Sequence, residues 1–216
     1  MSKEIKIQNL HKSTIKKQII EQFQLSNEQI IKIDKYINEV CFFNKHTNIV
    51  GKSTLTNPWR NHILDCIQLS KFIQNKNSSI LDMGSGAGLP GLILAIYNYT
   101  NVSLIDSNSK KIRFITSACS KLNFNVKIYH QRIESLKNSK YDYLVSRALS
   151  NLNKLFFYSQ NIFNKKTVLI FLKGKQISEE IQKANKFWKF KYDLYPSISD
   201  KRGRIIVIKD LNKINE

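Results

Sequence analysis

The stretch ILDMGSGAGLPGLILAI, residues 80–96, decides how this chain is read, because it holds four of the seven glycines. Ile80 and Leu81 have the character of a buried strand end, and Leu92 to Ile96 that of a buried helix. A glycine-rich turn between strand and helix lets a ligand approach the backbone closely and meet the amides at the helix start. Two templates fit. From Gly86, GAGLPG satisfies the dinucleotide pattern G-x-G-x-x-G; from Asp82, DMGSGAG reads D-x-G-x-G-x-G. The second is more specific, because an acid closes the strand ahead of the glycines. That carboxylate repels a pyrophosphate and attracts a ligand carrying an amino group. S-adenosylmethionine, with a sulfonium, an α-ammonium and no phosphate, suits it.

Working outward, short β-rich runs alternate with helical stretches after residue 79. The strands are SILDM, NVSLID, VKIYH, YDYLVS and TVLIFLK. Helices are expected near 90–98, 109–122, 151–163 and 176–186, and two closing strands near 188–195 and 204–209. The alternation implies a doubly wound, mostly parallel α/β sheet. The last two strands, with no helix between them, imply an antiparallel edge hairpin. Residues 1–75 read as a helical extension packed on a core domain of 76–216. Ser26 and Gln29 form a capping box, followed by Ile30, Ile33, Ile37 and Val40 at helical spacing. Asn57 and Pro58 start a second helix, with Trp59, Ile63, Ile67, Phe72 and Ile73 on its apolar side.

A second acid, Asp106, closes NVSLID. A carboxylate there accepts hydrogen bonds from both ribose hydroxyls, in nicotinamide and adenosylmethionine sites alike. As structural alternatives, Asp106 caps the next helix and Asp82 is a turn aspartate.

The chain of 216 residues carries a net charge of +19, which points to a polyanionic partner, most often nucleic acid. The bland alternative is a lysine-rich composition that merely solvates the surface. Arginines are scarcer, and in a chain that defaults to lysine each marks a place where a planar fork of donors is useful: Arg60, Arg113, Arg132, Arg147, Arg202 and Arg204. Cys41, Cys66 and Cys119 form no pairing framework, which fits a reducing cytoplasm. No run approaches a membrane span. His11, His46, His62 and His130 show no metal spacing.

These residues resemble the bacterial 16S ribosomal RNA guanine-N7 methyltransferases, the glucose-inhibited division protein B family. The resemblance rests on DMGSGAGLPG at 82–91, LIDSNSKKIRFI at 104–115, QRIE at 131–134, SRA at 146–148 and LKG at 172–174. NKHTNIV at 44–50 and WRNHILD at 59–65 add to it. The chain departs from the family at Ile49-Val50, where members often read Leu-Thr. The family's C-terminal arginine aligns with either Arg202 or Arg204.

The resemblance implies a Rossmann-like class I methyltransferase of seven strands, cytoplasmic and monomeric, that moves a methyl group from S-adenosylmethionine to N7 of a guanine in 16S rRNA or the small ribosomal subunit. N7 carries an unprotonated in-plane lone pair at neutral pH, so no general base is needed; alignment and exclusion of water are. The resemblance implies cofactor contacts from Asp82, Gly84, Gly86, Gly88, Leu89, Asp106 and Ser107, with Ile133 and Glu134 beside adenine. Arg147, Ser146 and His62 are its catalytic candidates, Arg147 also touching cofactor. Lys110, Lys111, Arg113, Arg132, Lys173, Arg202 and Arg204 are its RNA contacts. For Arg147 the structural alternative is a salt bridge; for Ser146, a small spacer; for the lysines, solvation; for His62 with Asp65, an interhelical pair. Rival functions are a methyltransferase acting on another RNA, a protein or a small molecule, a nicotinamide oxidoreductase using GAGLPG, and a non-catalytic RNA-binding protein. No Tyr/Lys or His constellation supports the oxidoreductase.

Overall fold

The computed structural model describes residues 3–137 and 139–214, with side chains from residue 13 onward. Seven strands form one sheet: β1 (Ile80–Met83), β2 (Val102–Asp106), β3 (Lys127–His130), β4 (Tyr143–Arg147), β5 (Val168–Lys173), β6 (Trp188–Pro196) and β7 (Arg204–Lys213). Their order is β3-β2-β1-β4-β5-β7-β6. The first five strands pair in parallel, and β7 pairs antiparallel with both β5 and β6. The expected doubly wound sheet with a closing antiparallel hairpin is therefore present. The order reverses between β1 and β4, so the crevice beyond their carboxyl ends is the natural ligand site.

The helices are α1 (Lys3–Phe23), α2 (Asn27–Asn44), α3 (Asp65–Ile67), α4 (Gly91–Ile96), α5 (Ser109–Lys121), α6 (Leu152–Ser159) and α7 (Ile177–Ala184). The inner strands are apolar on both faces, as a sheet covered twice requires. Ile80, Leu104, Val145 and Ile170 face one layer, packed with Ile33, Tyr36, Ile63, Ile67, Leu92 and Phe114 from α2 to α5. Their sequence neighbours Leu81, Ile105, Leu144, Leu169 and Phe171 face the other, against Phe156, Ile177, Ile181 and Trp188. The N-terminal helices thus share one layer with α4 and α5. Among the described residues, no helix is long and apolar enough to cross a membrane.

Local chemistry sets the helix starts. Ser26 Oγ accepts the Gln29 amide at 3.2 Å while Gln29 Oε1 accepts the Ser26 amide at 2.9 Å, the expected capping box. The Asn108 side chain accepts the Lys110 and Lys111 amides and starts α5. Asn57 Oδ1 accepts the Arg60 amide at 3.2 Å, so a cap stands where one was expected. Beyond this cap the chain does not form one regular helix. A wide π-helical turn (Trp59–Leu64) leads through α3 into a 3-10 turn (Gln68–Phe72). The wider turn buries His62 and Leu64 together with Trp59 and Ile63. It lets the Asn61 carbonyl, His62 and Asp65 reach one partner on β4, Arg147.

Candidate cofactor and substrate site

The glycine loop is fixed from every side. Gly84 and Ser85 donate their amides to the Ile105 carbonyl at 2.9 and 3.0 Å, and Gly88 and Leu89 donate theirs to the Ser85 carbonyl at 2.7 and 2.9 Å. From the N-terminal extension Tyr36, buried on α2, donates its hydroxyl to the Ala87 carbonyl at 2.7 Å. Asp82 Oδ2 accepts the Gly91 amide at 2.9 Å. A carboxylate thus occupies the anion seat at the start of α4, which disfavours a pyrophosphate there. Several loop and helix-start amides are thus spent internally.

The glycines divide by role. At Gly88 (φ +82°) a Cβ would lie 2.5 Å from Leu92 Cδ1, and at Gly91 it would strike Leu104 and Asp82. These two serve packing. Leu89 is buried in the core, and the Gly88 and Leu89 amides are both committed. Gly86 (φ +58°) differs, because its Cβ direction is open, with Gly84 O at 3.8 Å and Lys111 Nζ at 4.0 Å the nearest atoms. That open face adjoins Asp106.

Asp106 closes β2 with little exposure. Its Oδ2 accepts the Gly86 amide at 2.9 Å, its Oδ1 accepts the Asn108 amide at 2.8 Å, and Lys111 Nζ lies 3.8 Å away. Asn108, not Asp106, is the N-cap of α5. Asp82 is wholly buried, and its Oδ1 is the buried side-chain oxygen without a partner among the described residues. Burial, opposed by the Gly91 amide and Ser85, pushes its pKa up to about 7. An orphaned buried carboxylate oxygen is costly unless a donor completes it. The ammonium of an amino-acid-bearing ligand is such a donor, so the residues present fit S-adenosylmethionine. Ser107 is exposed beside Asp106; Ile133 is buried and Glu134 half-buried in a short turn after β3.

Across the switch point, Arg147 ends β4. Its Nη1 donates to the Asn61 carbonyl and to Asp65 Oδ2, both at 2.8 Å, and its Nη2 meets His62 Nδ1 at 2.8 Å. Since arginine only donates, His62 Nδ1 is the acceptor. His62 Nε2 then carries the proton toward Thr54 Oγ1 at 2.9 Å, and Thr54 donates to the Gly51 carbonyl at 2.6 Å. Burial and the Arg147 charge push the His62 pKa down to about 3, so the imidazole is neutral. His62 is therefore neutral and held through both ring nitrogens. Ser146 is committed likewise. It is buried and donates to the Met83 carbonyl at 2.9 Å, tying β4 to β1. Arg147 has three N–H groups committed to the segment before and within α3, so its guanidinium is anchored.

Arg147 lines a cavity of about 490 Å³ together with Thr54, Asn61, Asp65, Asp200 and Arg202. The loop after β6 closes it. Ser199 Oγ donates to Asp65 Oδ1 at 2.6 Å, Gln68 Nε2 donates to Ser197 Oγ at 3.0 Å, and Arg60 Nε donates to the Ser199 carbonyl at 2.9 Å. Tyr36, Arg60, Gln68, Ser197 and Ser199 went unnoticed as site residues. The signal available was weak: a tyrosine on the apolar face of α2, and an arginine in a lysine-rich chain.

The basic candidates separate. Arg202 is exposed on the cavity, whereas Arg204 donates to the Lys201 and Gly203 carbonyls at 3.1 and 2.8 Å and braces the turn. Lys173 lines the same cavity, but its nearly buried ammonium pairs with Glu180 and donates to the Ser150 carbonyl at 2.8 Å. Lys111 turns toward Asp106. Lys110 and Arg113 are exposed on α5, and Arg132 is exposed after β3.

Solved structures share this architecture. An S-adenosylmethionine-dependent methyltransferase from Aquifex aeolicus superposes with a TM-score of 0.56 at 16% identity, covering 73% of this chain and 95% of that one. M. jannaschii TYW2 in complex with AdoMet gives 0.53 at 15% identity, covering 70% of this chain and 77% of that one. The sheet, the glycine turn and the two strand-end acids define a class I S-adenosylmethionine-dependent methyltransferase. Within that class the profile of GidB, rRNA small subunit methyltransferase G, matches residues 29–205, and the chain belongs to that family. A relative from Rickettsia prowazekii named ribosomal RNA small subunit methyltransferase G is 39% identical over 191 residues, 88% of this chain and 99% of the relative.

Proposed function

We propose that the protein transfers a methyl group from S-adenosylmethionine to N7 of a guanine in the RNA of the small ribosomal subunit. The observation that carries this reading is a two-part site at the switch point: an acid pair around an open glycine face, and a cationic cavity beside it.

When bound, S-adenosylmethionine supplies an electrophilic methyl on a sulfonium. Asp106 is placed to accept from the ribose hydroxyls, and Asp82 Oδ1 to receive the ammonium. With the cofactor held there, N7 would take the methyl on its own lone pair as the S–C bond breaks, and positive charge would pass to the guanine ring. No proton leaves N7, which is consistent with a neutral, fully hydrogen-bonded His62 and a committed Ser146. The remaining work is orientation. Arg147 has five N–H donors, three of them spent. The other two are available to O6, the neighbouring acceptor on the N7 edge of guanine. Arg202 on the rim suits a phosphate, and the +19 charge draws RNA in. A cavity of this size fits a base turned out of its stack.

The test is incubation with radiolabelled S-adenosylmethionine and unmodified small subunits or their RNA, followed by digestion to nucleosides. Label in N7-methylguanosine supports the reading. Label in another nucleoside, or in protein alone, overturns it.

A further inference from the structure

A second feature lies beside α5, outside the cavity that Arg147 lines. A groove of about 280 Å³ is lined by Phe42, Phe43, His46, Thr47, Lys110 and Arg113. Phe43 is anchored against Phe114, ring centroids 5.2 Å apart. Phe42 is not anchored in the core; it is 58% exposed, with the His46 ring edge-on at 6.2 Å. Lys110 and Arg113 are exposed and make no ion pair among the described residues. Nearby acids do not compete: Glu39 is paired with Lys121 at 2.6 Å, and Asp106 is turned into the glycine loop. A solvent-facing ring beside two unpaired cations is the arrangement that takes a base and its phosphates. A peptide partner would match the ring but leave both cations unanswered, unless it were acidic.

We propose that this groove is a second RNA-contact site, holding one unstacked base of the substrate strand on the Phe42 ring with flanking phosphates on Lys110 and Arg113. The proposal rests on the rRNA reading above and adds to it a docking point away from the reacting base. Lys111, next to Lys110, faces Asp106, so strand docking and the cofactor site are joined through one helix turn.

The test uses the full chain with saturating cofactor and naked small-subunit rRNA. Loss of one stacked base predicts a KM for RNA raised about tenfold in Phe42→Ala, with kcat and cofactor affinity within about twofold. Phe42→Trp restores KM, because it stacks; Phe42→Leu does not. Lys110→Ala with Arg113→Ala flattens the log-affinity against log-salt plot by about 1.4 for a single strand. An unchanged KM in Phe42→Ala overturns the proposal. So does equal rescue by Leu and Trp, or a defect seen only with protein-containing particles, which would mark a ribosomal-protein contact. If the wild type methylates rRNA neither naked nor in small subunits, the functional reading falls and this inference with it. If the wild type methylates and Phe42→Ala matches it, this inference falls alone.

Discussion

The guanidinium of Arg147 donates to Nδ1 of His62 at 2.8 Å, and this bond sets the tautomer of a buried histidine that never needs to ionise. The consequence runs through Thr54 to Gly51, so a chain of hydrogen bonds locks the segment before α3 onto the end of β4.

His62→Ala removes the acceptor and leaves a buried arginine donor unsatisfied. Such a loss costs about 1.5–3 kcal/mol, so kcat/KM for RNA falls about 10- to 100-fold while cofactor affinity holds. His62→Asn, which keeps an acceptor and a donor, recovers part of the loss. Steady-state kinetics on the two variants check this.

The same histidine sets an acid limit. Its folded pKa, about 3, lies below its ordinary value of 6.5. The unfolded chain therefore binds the proton first. The stability linked to neutral His62 is complete above about pH 6.5 and is lost as pH falls toward 3. Denaturant midpoints between pH 7 and 4 fall less steeply in His62→Asn than in wild type.

Asp82 runs the other way. Burial raises its folded pKa to about 7 from 3.8, so its contribution is present below about pH 4 and is lost as pH rises through 7. An ammonium placed on Oδ1 favours the carboxylate. Cofactor binding at pH 6 therefore releases close to one proton, and the release from Asp82 shrinks as pH rises through 7. Calorimetry in buffers of different ionisation enthalpy reads the difference, and Asp82→Asn abolishes it.

Much of this was legible in the chain. The strands read correctly because inner parallel strands are nearly continuous apolar runs bounded by polar turns, and Ser26 with Gln29 announced a helix start. The acids stood out because Asp82 and Asp106 each end an apolar run. The fates of individual polar side chains were not legible. Lys173 looks like any lysine at a strand end until Glu180 arrives from a helix seven residues on, and Ser146 like any small residue until β1 presents the Met83 carbonyl. The π-helical turn was hidden because Trp59, Ile63 and Ile67 satisfy an ordinary helical period; only the distant Arg147 shows what the wider turn achieves. Tyr36 fits an apolar face equally well as a plain core residue.

Tyr36→Phe strips the hydroxyl from the Ala87 carbonyl and leaves that acceptor buried. Stability falls by about 1–3 kcal/mol and cofactor binding weakens with it, because the glycine loop loses its brace from α2. Urea unfolding and equilibrium cofactor titration measure both.

Lys173→Met separates structure from RNA binding. The change leaves Glu180 without its cation and lowers the unfolding midpoint, but the salt dependence of RNA affinity stays as in wild type. A shallower salt slope would restore Lys173 as a phosphate contact.

We propose a site in two halves, with the acids holding cofactor and the Arg147 wall orienting the base. Equilibrium S-adenosylmethionine binding and methyl transfer to small-subunit rRNA, measured side by side on Asp106→Ala and Arg147→Ala, test it most directly. The account predicts that Asp106→Ala loses both, and that Arg147→Ala keeps its cofactor affinity within about threefold while losing transfer by at least about 100-fold. Equal loss of cofactor affinity in the two variants, or full transfer by Arg147→Ala, would contradict it.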